Sequence, residues 1–323
     1  MIRKRLVIGI DLGGTKIGTA LVDGAGGIIA RDYRETLAAE GPDAVITRML
    51  DAARRVMAEA DVEIAQVAAA GICAPGPLDA AAGVVVSPPN LPGWDRVPLR
   101  KLVADALSLP AFLEKDANAA AMGEHLFGAG RGTQHMIYVT VSTGIGSGLV
   151  LDGKLYHGAT SMAGEIGHTT IVPDGPLCGC GNYGCLEALA SGTAIARRAR
   201  ERVARGTPTL IADLAEGDPA RITAKTVAQA AARGDVKAQQ IISEAMDYLG
   251  IGIANLVNLF NPQVIIIGGG LANIGDALFE PVQHVVEQRA FRAAVEAVRV
   301  VPAELGDDVG VLGAAAVALA QIA

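Results

Sequence analysis

A strand, a glycine turn, a second strand and an Asp-Gly pair occur twice in this chain, once at its start and once in its middle. Leu6-Val7-Ile8-Gly9-Ile10 reads as a buried strand, Asp11-Leu12-Gly13-Gly14-Thr15-Lys16 as a turn, and Ile17 to Val22 as the returning strand. Ile137 to Val141, the turn Ser142-Thr143-Gly144-Ile145-Gly146-Ser147-Gly148, and Leu149-Val150-Leu151-Asp152-Gly153 repeat that order. Ala20-Leu21-Val22-Asp23-Gly24 and Leu149-Val150-Leu151-Asp152-Gly153 match in role and in spacing from their glycine turns. Duplication of such a unit predicts two similar α/β halves facing each other across a cleft. Two unrelated hairpins would also satisfy the Asp-Gly turns taken alone.

The remaining elements alternate in the manner of an α/β chain. Asp23 to Gly27 turns into a third strand, Ile28 to Tyr33. Pro42 sits in the first turn of a helix running to about Ala60, with Val45, Ile46, Met49, Ala52, Ala53 and Val56 at helical spacing. Val67 to Cys73 is a strand broken by Ala74-Pro75-Gly76-Pro77. Helices are expected over 191–205, 225–233, 236–260, 275–289 and 311–323, and strands over 264–267 and 298–301. Asp213 to Thr223 is the expected mobile connection, and Cys73 reads as a small buried hydrophobe. The domains are expected at 1–116 plus about 306–323 and at 117–305, with a hinge near 116.

Composition narrows the function classes. With 51% hydrophobic and 19% charged residues the chain is globular. A net charge of −7, with no basic run, argues against nucleic acid as a partner. The basic start Met1-Ile2-Arg3-Lys4-Arg5 precedes an apolar run that stops at Asp11, too short for a signal peptide. No apolar stretch reaches the roughly 20 residues that span a bilayer. The expectation is a soluble cytoplasmic protein without a membrane partner.

Three constellations carry chemistry. Asp116 lies where the strand-like Ala111-Phe112-Leu113 gives way to an Ala-rich helix; its carboxylate either caps that helix or faces a cleft. The glycine turns let backbone N–H groups approach an anion. Asp11 can hold Mg²⁺, Thr15 and Lys16 can bind phosphate oxygens, and Thr143, Gly144 and Gly146 repeat the arrangement. Gly268-Gly269-Gly270, after a buried strand, admits a flat base or ribose. The third constellation is His168, nine residues on Cys178-Gly179-Cys180, and four residues on Cys185. One imidazole and three thiolates make a closed tetrahedral set suited to structural Zn²⁺. Zinc would fix the loop bearing Glu165 and, beyond Cys185, Glu187, presenting two carboxylates suited to vicinal hydroxyls. Asn90, beside Trp94 in Pro89-Asn90-Leu91-Pro92-Gly93-Trp94, is a further hydroxyl ligand or part of a rigid surface turn.

Together these residues resemble the ROK family of bacterial sugar kinases, in the actin-like ATPase/sugar kinase superfamily. The resemblance runs through Asp11 to Lys16 (with Gly13 and Gly14), Asn90 to Trp94, Asp116 to Ala120, Ser142 to Gly146, Gly164 to His168 and Cys178 to Glu187. It implies two ribonuclease H-like α/β domains flanking a cleft and ATP-dependent phosphorylation of a hexose at its 6-hydroxyl. It implies Asp116 as general base, and Glu165, His168 and Glu187 on sugar hydroxyls with His168 doubling as zinc ligand. Gly76, Asn90, Lys115 and Asp116 itself join the sugar side. Many relatives carry Asn immediately before the catalytic Asp; Lys115 stands there in this chain. The Asn-Leu-Pro-Gly-Trp segment is most similar to the glucokinase branch. Alternatives are an N-acetylglucosamine or N-acetylmannosamine kinase, then a fructokinase, a polyphosphate-using glucokinase or a non-catalytic sugar sensor. Sugar-responsive repressors of the family carry a helix-turn-helix ahead of the first glycine turn, where Asp11 leaves only ten residues. A homodimer or homotetramer is implied by resemblance alone.

Overall fold

The computed structural model describes residues 5–322; residues 1–4 of the basic start and Ala323 of the closing helix lie outside them. The chain divides into two compact units. The first runs to Thr133 and includes Gly148–Ala163 and the segment from Ala303 onward; the second comprises Gln134–Ser147 and Gly164–Pro302.

The first unit begins with β1 (Leu6–Leu12), β2 (Lys16–Asp23), β3 (Ile28–Glu35), α1 (Pro42–Glu59) and β4 (Val67–Ala74). A small hairpin, β5 (Leu78–Asp79) and β6 (Val84–Val85), precedes α2 (Leu99–Leu107), β7 (Ala111–Lys115) and α3 (Asp116–Phe127). Its sheet has the order β3-β2-β1-β4-β7, with β1, β2 and β3 antiparallel and β4 and β7 parallel to β1. The next strands are β8 (Met136–Val141), β9 (Ile145–Leu151) and β10 (Lys154–Leu155). Helices α4 (Leu186–Ala190), α5 (Gly192–Ala204), α6 (Leu210–Leu214), α7 (Ala224–Ala232) and α8 (Val236–Phe260) follow. The chain closes with β11 (Val264–Gly268), α9 (Asp276–Arg289), α10 (Arg292–Ala297), β12 (Arg299–Pro302) and α11 (Val309–Gln321). The second sheet has the order β10-β9-β8-β11-β12, with β8, β11 and β12 parallel. The duplication read from the sequence is therefore a duplication of sheet topology. The two Asp-Gly pairs nevertheless fold differently. Asp152 and Gly153 both take positive φ, as a two-residue hairpin turn demands. Asp23 instead accepts the Ala25 and Gly27 N–H groups and holds a longer loop.

Helices cover both faces of the first sheet. Val45, Met49 and Val56 of α1, with Leu99 and Val103 of α2, bury against Ile8, Ile10, Leu21 and Ile72. On the other side Val311, Leu312, Ala315 and Ala318 of α11 cover Val7, Ala20 and Ala69. That helix lies close because glycines make room for it. A Cβ on Gly9 would overlap the Val311 carbonyl oxygen, and one on Gly71 that of Ala314. Glu124 of α3 is wholly buried and ionisable, and backbone donors compensate it: Ala129 at 2.9 Å, Glu304 at 3.0 Å and Leu305 at 3.0 Å. It ties together the two chain segments that flank the inserted second unit.

In the second unit α8 is the central helix, burying Ile241, Ile242, Met246, Leu249 and Ile253. It ends at Asn261 in the left-handed conformation, one residue ahead of Pro262. The connection expected to be mobile, Asp213 to Thr223, is instead pinned. Its middle forms a short 3-10 turn at Pro219–Arg221, and the Arg200 guanidinium donates to the Pro219 and Ile222 carbonyls. A long-range partner of that kind leaves no local signature.

Candidate active site

In the first unit, sheet register gathers the chemistry at the carboxyl ends of parallel strands, where open α/β sheets place their ligands. Asp11 pairs with Cys73 across β1 and β4, and Cys73 pairs with Glu114 across β4 and β7, so Lys115 and Asp116 follow at the same edge. Asp116 is the first residue of α3, and its carboxylate accepts the Ala117 N–H at 2.7 Å. Lys115, rather than Asp116, occupies the N-cap position, without a capping side-chain bond.

Asp11 is held on both oxygens' sides. Cys73 donates its thiol proton to Asp11 Oδ1 at 3.1 Å, with the Gly310 carbonyl oxygen 3.5 Å from the same sulfur. A Cβ on Gly310 would overlap Asp11 Oδ2. Cys73 is thus buried as expected, but it acts as a donor rather than as a small hydrophobe. Burial pushes the Cys73 thiol well up, so the proton it donates stays on it. Burial also raises the Asp11 pKa; the Cys73 hydrogen bond opposes that, the nearby Asp116 charge adds to it, and Lys16 opposes it. Two carboxylates that repel in a poorly solvated setting suit a divalent cation, so Asp11 fits the expected Mg²⁺.

The Gly13–Lys16 turn closes with the Gly13 N–H on the Lys16 carbonyl at 2.9 Å, and Thr36 donates to the Gly13 carbonyl at 2.6 Å. A Cβ on Gly14 would come within 2.9 Å of Asn90 Cβ, so glycine lets Asn90 lie against the turn beside Thr15. Lys16 Nζ sits 3.7 Å from the Tyr33 ring centroid, and the Tyr33 hydroxyl donates to Asp308 at 3.0 Å. The ammonium expected to hold phosphate is therefore cradled by a cation–π contact. Lys115 Cε lies 3.7 Å from where a Gly76 Cβ would be, which brings those two sugar-side candidates together. Trp94 packs into the core and is 3% exposed, and Leu91 is buried with it, whereas Asn90 lies at the surface.

The second unit carries the other candidates. Glu187 accepts the Ile145 N–H at 2.9 Å, and a Cβ on Gly144 would come within 2.5 Å of the same carboxylate oxygen. The glycine turn Thr143-Gly144-Ile145-Gly146 is thus fastened to the start of α4. Glu165 caps and His168 ends a 3-10 turn that lies against β9, because Gly167 has no Cβ to strike the Ile145 carbonyl. His168, Cys178, Cys180 and Cys185 offer ligand atoms within 4.8 Å of one another. The Cys178 Sγ to His168 Nδ1 and Cys180 Sγ to Cys185 Sγ separations are both 3.7 Å. Tetrahedral zinc with bonds of about 2.3 Å to sulfur and 2.0 Å to nitrogen sets ligand atoms about 3.5–3.8 Å apart, so the set fits zinc. His168 would bind through Nδ1, leaving Nε2 for a substrate hydroxyl.

A cavity of about 1130 Å³ opens beside Ser142, Thr143 and Gly270. Gly269 has a φ of 84° and Gly268 abuts Tyr138, so the glycine run bends tightly after β11. The wall contains Thr193 of α5, Lys225 and Gln229 of α7, and Leu271, Asn273 and Ile274 after β11. The sequence reading found Thr143 and Gly270 but missed these, because helix-borne Lys, Gln and Asn carry no motif. A mostly apolar slot with a few polar groups beside a glycine turn suits a nucleoside. Among the described residues no helix is long and apolar enough to cross a membrane.

Comparison with known proteins follows the same lines. Residues 7–321 match the sequence model of the ROK family. A glucokinase of Thermotoga maritima is 40% identical over 97% of this chain and 97% of its own. The ROK hexokinase of Thermus thermophilus has a TM-score of 0.83 at 38% identity, covering 98% of this chain and 99% of that one. A ROK family glucokinase from Streptomyces griseus, solved with glucose and AMPPNP, has a TM-score of 0.80 at 34% identity, covering 97% and 99%.

Proposed function

The chain belongs to the ROK family, and we propose that it transfers the γ-phosphoryl group of ATP to the 6-hydroxyl of a hexose, glucose foremost. The observation that carries this reading is Asp116 at the β7–α3 junction, beside an Asp11 buried enough to favour a cation. The glucokinases among its relatives, one of them bound to glucose and AMPPNP, support the choice of sugar and donor.

Each group has a stated task. Asp116 accepts the proton of the attacking hydroxyl as the phosphoryl group moves in line. Asn90, Lys115, Glu165, Glu187 and the His168 Nε2 orient the sugar hydroxyls, with Gly76 leaving room beside Lys115. Gly13, Gly14, Thr15 and Lys16, with Thr143, Gly144 and Gly146, line the phosphates, and Gly268, Gly269 and Gly270 border the nucleoside cavity. Mg²⁺ held by Asp11 would neutralise phosphate charge, the main electrostatic demand of phosphoryl transfer. Zn²⁺ held by His168, Cys178, Cys180 and Cys185 would be structural, since these four residues would complete a tetrahedral set. We assign the enzyme to the cytoplasm, to hexose entry into glycolysis, and to a homodimer or homotetramer.

Purified protein with Mg-ATP should release ADP fastest with glucose among glucose, mannose, fructose, N-acetylglucosamine and N-acetylmannosamine. Turnover led by an N-acetylated sugar would replace glucose while leaving the kinase chemistry standing. No turnover with any of them, with ATP or polyphosphate, would overturn the kinase reading.

A further inference from the structure

Glu114 lies two residues before Asp116, and its carboxylate is almost wholly enclosed, with a side-chain exposure of 6%. One oxygen accepts the Lys115 N–H at 2.9 Å and the Asn118 amide at 2.9 Å. Those donors belong to the strand end and the first turn of α3, so this oxygen shapes the junction that presents Asp116. The other oxygen takes a hydrogen bond from His157 Nε2 at 2.7 Å. His157 comes from the loop after β10, where it is fixed on both sides. Tyr156 N–H bonds the Leu149 carbonyl at 2.9 Å, and Ala163 N–H bonds the His157 carbonyl at 3.0 Å. Without His157 a buried carboxylate oxygen would lose the donor that holds it, and Glu114 would be less firmly fixed on Lys115 and Asn118.

We propose that His157 is a positioning residue for phosphoryl transfer, holding Glu114 so that the Lys115-Asp116 junction keeps the catalytic carboxylate in place. This rests on Asp116 being the base. His157 acts through Glu114, whose carboxylate it bonds at 2.7 Å. An ångström of drift in a catalytic group costs on the order of 10²-fold, so the effect belongs in kcat rather than in sugar KM.

The pair is also pH-sensitive. The hydrogen bond to Glu114 raises the His157 pKa above its ordinary value, against partial burial, and the Glu114 charge adds to the rise. Glu114 on β7 is the charged group acting on the ring, and Asn118 on α3, in the same network, is neutral. A raised folded pKa means that the stabilisation is fully present below about pH 6.5 and is lost as pH rises through the folded value.

The test compares His157→Gln with His157→Asn in the intact enzyme. The Gln amide nitrogen lies as many bonds from Cβ as the imidazole Nε2 and reaches Glu114; the Asn amide is one bond short. His157→Gln should keep kcat within about threefold of the parent, and His157→Asn should lose about 10- to 100-fold with sugar KM little changed. The Tm gap between parent and His157→Gln should be widest below about pH 6.5 and close as pH rises through the raised folded pKa of His157. Equal kcat for the two variants, a loss confined to KM, or a gap that does not close would each overturn the proposal. Asp116→Asn is measured alongside: full turnover there would remove the base itself, whereas an inactive Asp116→Asn with a fully active His157→Asn removes only the positioning role.

Discussion

Replacing Asp116 by Asn should lower kcat by at least about 10²-fold, and by as much as about 10⁴-fold, while leaving glucose binding little changed. The expectation follows from what the substitution keeps and what it removes. An Asn oxygen can still accept the Ala117 N–H that fixes Asp116 at the start of α3. The amide has the shape of the carboxylate, so packing in the first turn is preserved. What disappears is a group able to take a proton, together with the charge that Asp11 feels. Glucose affinity measured calorimetrically should therefore stay close to the parent value while steady-state turnover collapses. A parallel rise in glucose Kd would make Asp116 a binding residue instead.

Loss of the metal should act in the opposite manner, on stability and sugar affinity together. Cys180→Ser is the informative change because Cys180 is exposed, whereas Cys178 and Cys185 are buried and their loss would also disturb packing. Zinc present at about 1,000 times its Kd would stabilise the folded chain by about 4 kcal/mol, and that linkage is lost with the site. The local consequence runs through backbone. Cys185 immediately precedes α4, where Leu186 N–H bonds the Thr169 carbonyl at 3.0 Å and Glu187 holds the Ile145 N–H. Glu165 and His168 stand at the other end of the same metal-tied segment. Cys180→Ser should lose zinc on elemental analysis, melt at a lower temperature, and raise glucose KM by about tenfold or more. Zinc loss with unchanged KM would break the link between the metal and the sugar-side carboxylates.

Much of this was legible because it is local. Short glycine turns between apolar runs announced β1–β2 and β8–β9, and the sheets proved to share one order of pairing. The Cys₃His spacing predicted a cluster that the fold assembles at zinc-like distances. The pairs formed by tertiary approach stayed hidden. Cys73 reads as a small hydrophobe until register sets it beside Asp11. Glu114 and His157 are distant in sequence and belong to no motif, yet they share a hydrogen bond under the catalytic junction. Glu124 looks like one more charge on an Ala-rich helix, although its carboxylate is wholly buried among backbone donors. The cavity wall likewise mixes residues from α5, α7 and the turn after β11, each ordinary where it stands in the sequence.

The most direct measurement is the identity of the product formed from glucose and Mg-ATP, read by ³¹P-coupled proton NMR. One phosphoester is expected, on the oxygen of carbon 6, formed together with an equal amount of ADP. Phosphate on any other hydroxyl, or free phosphate with no sugar ester, would contradict it.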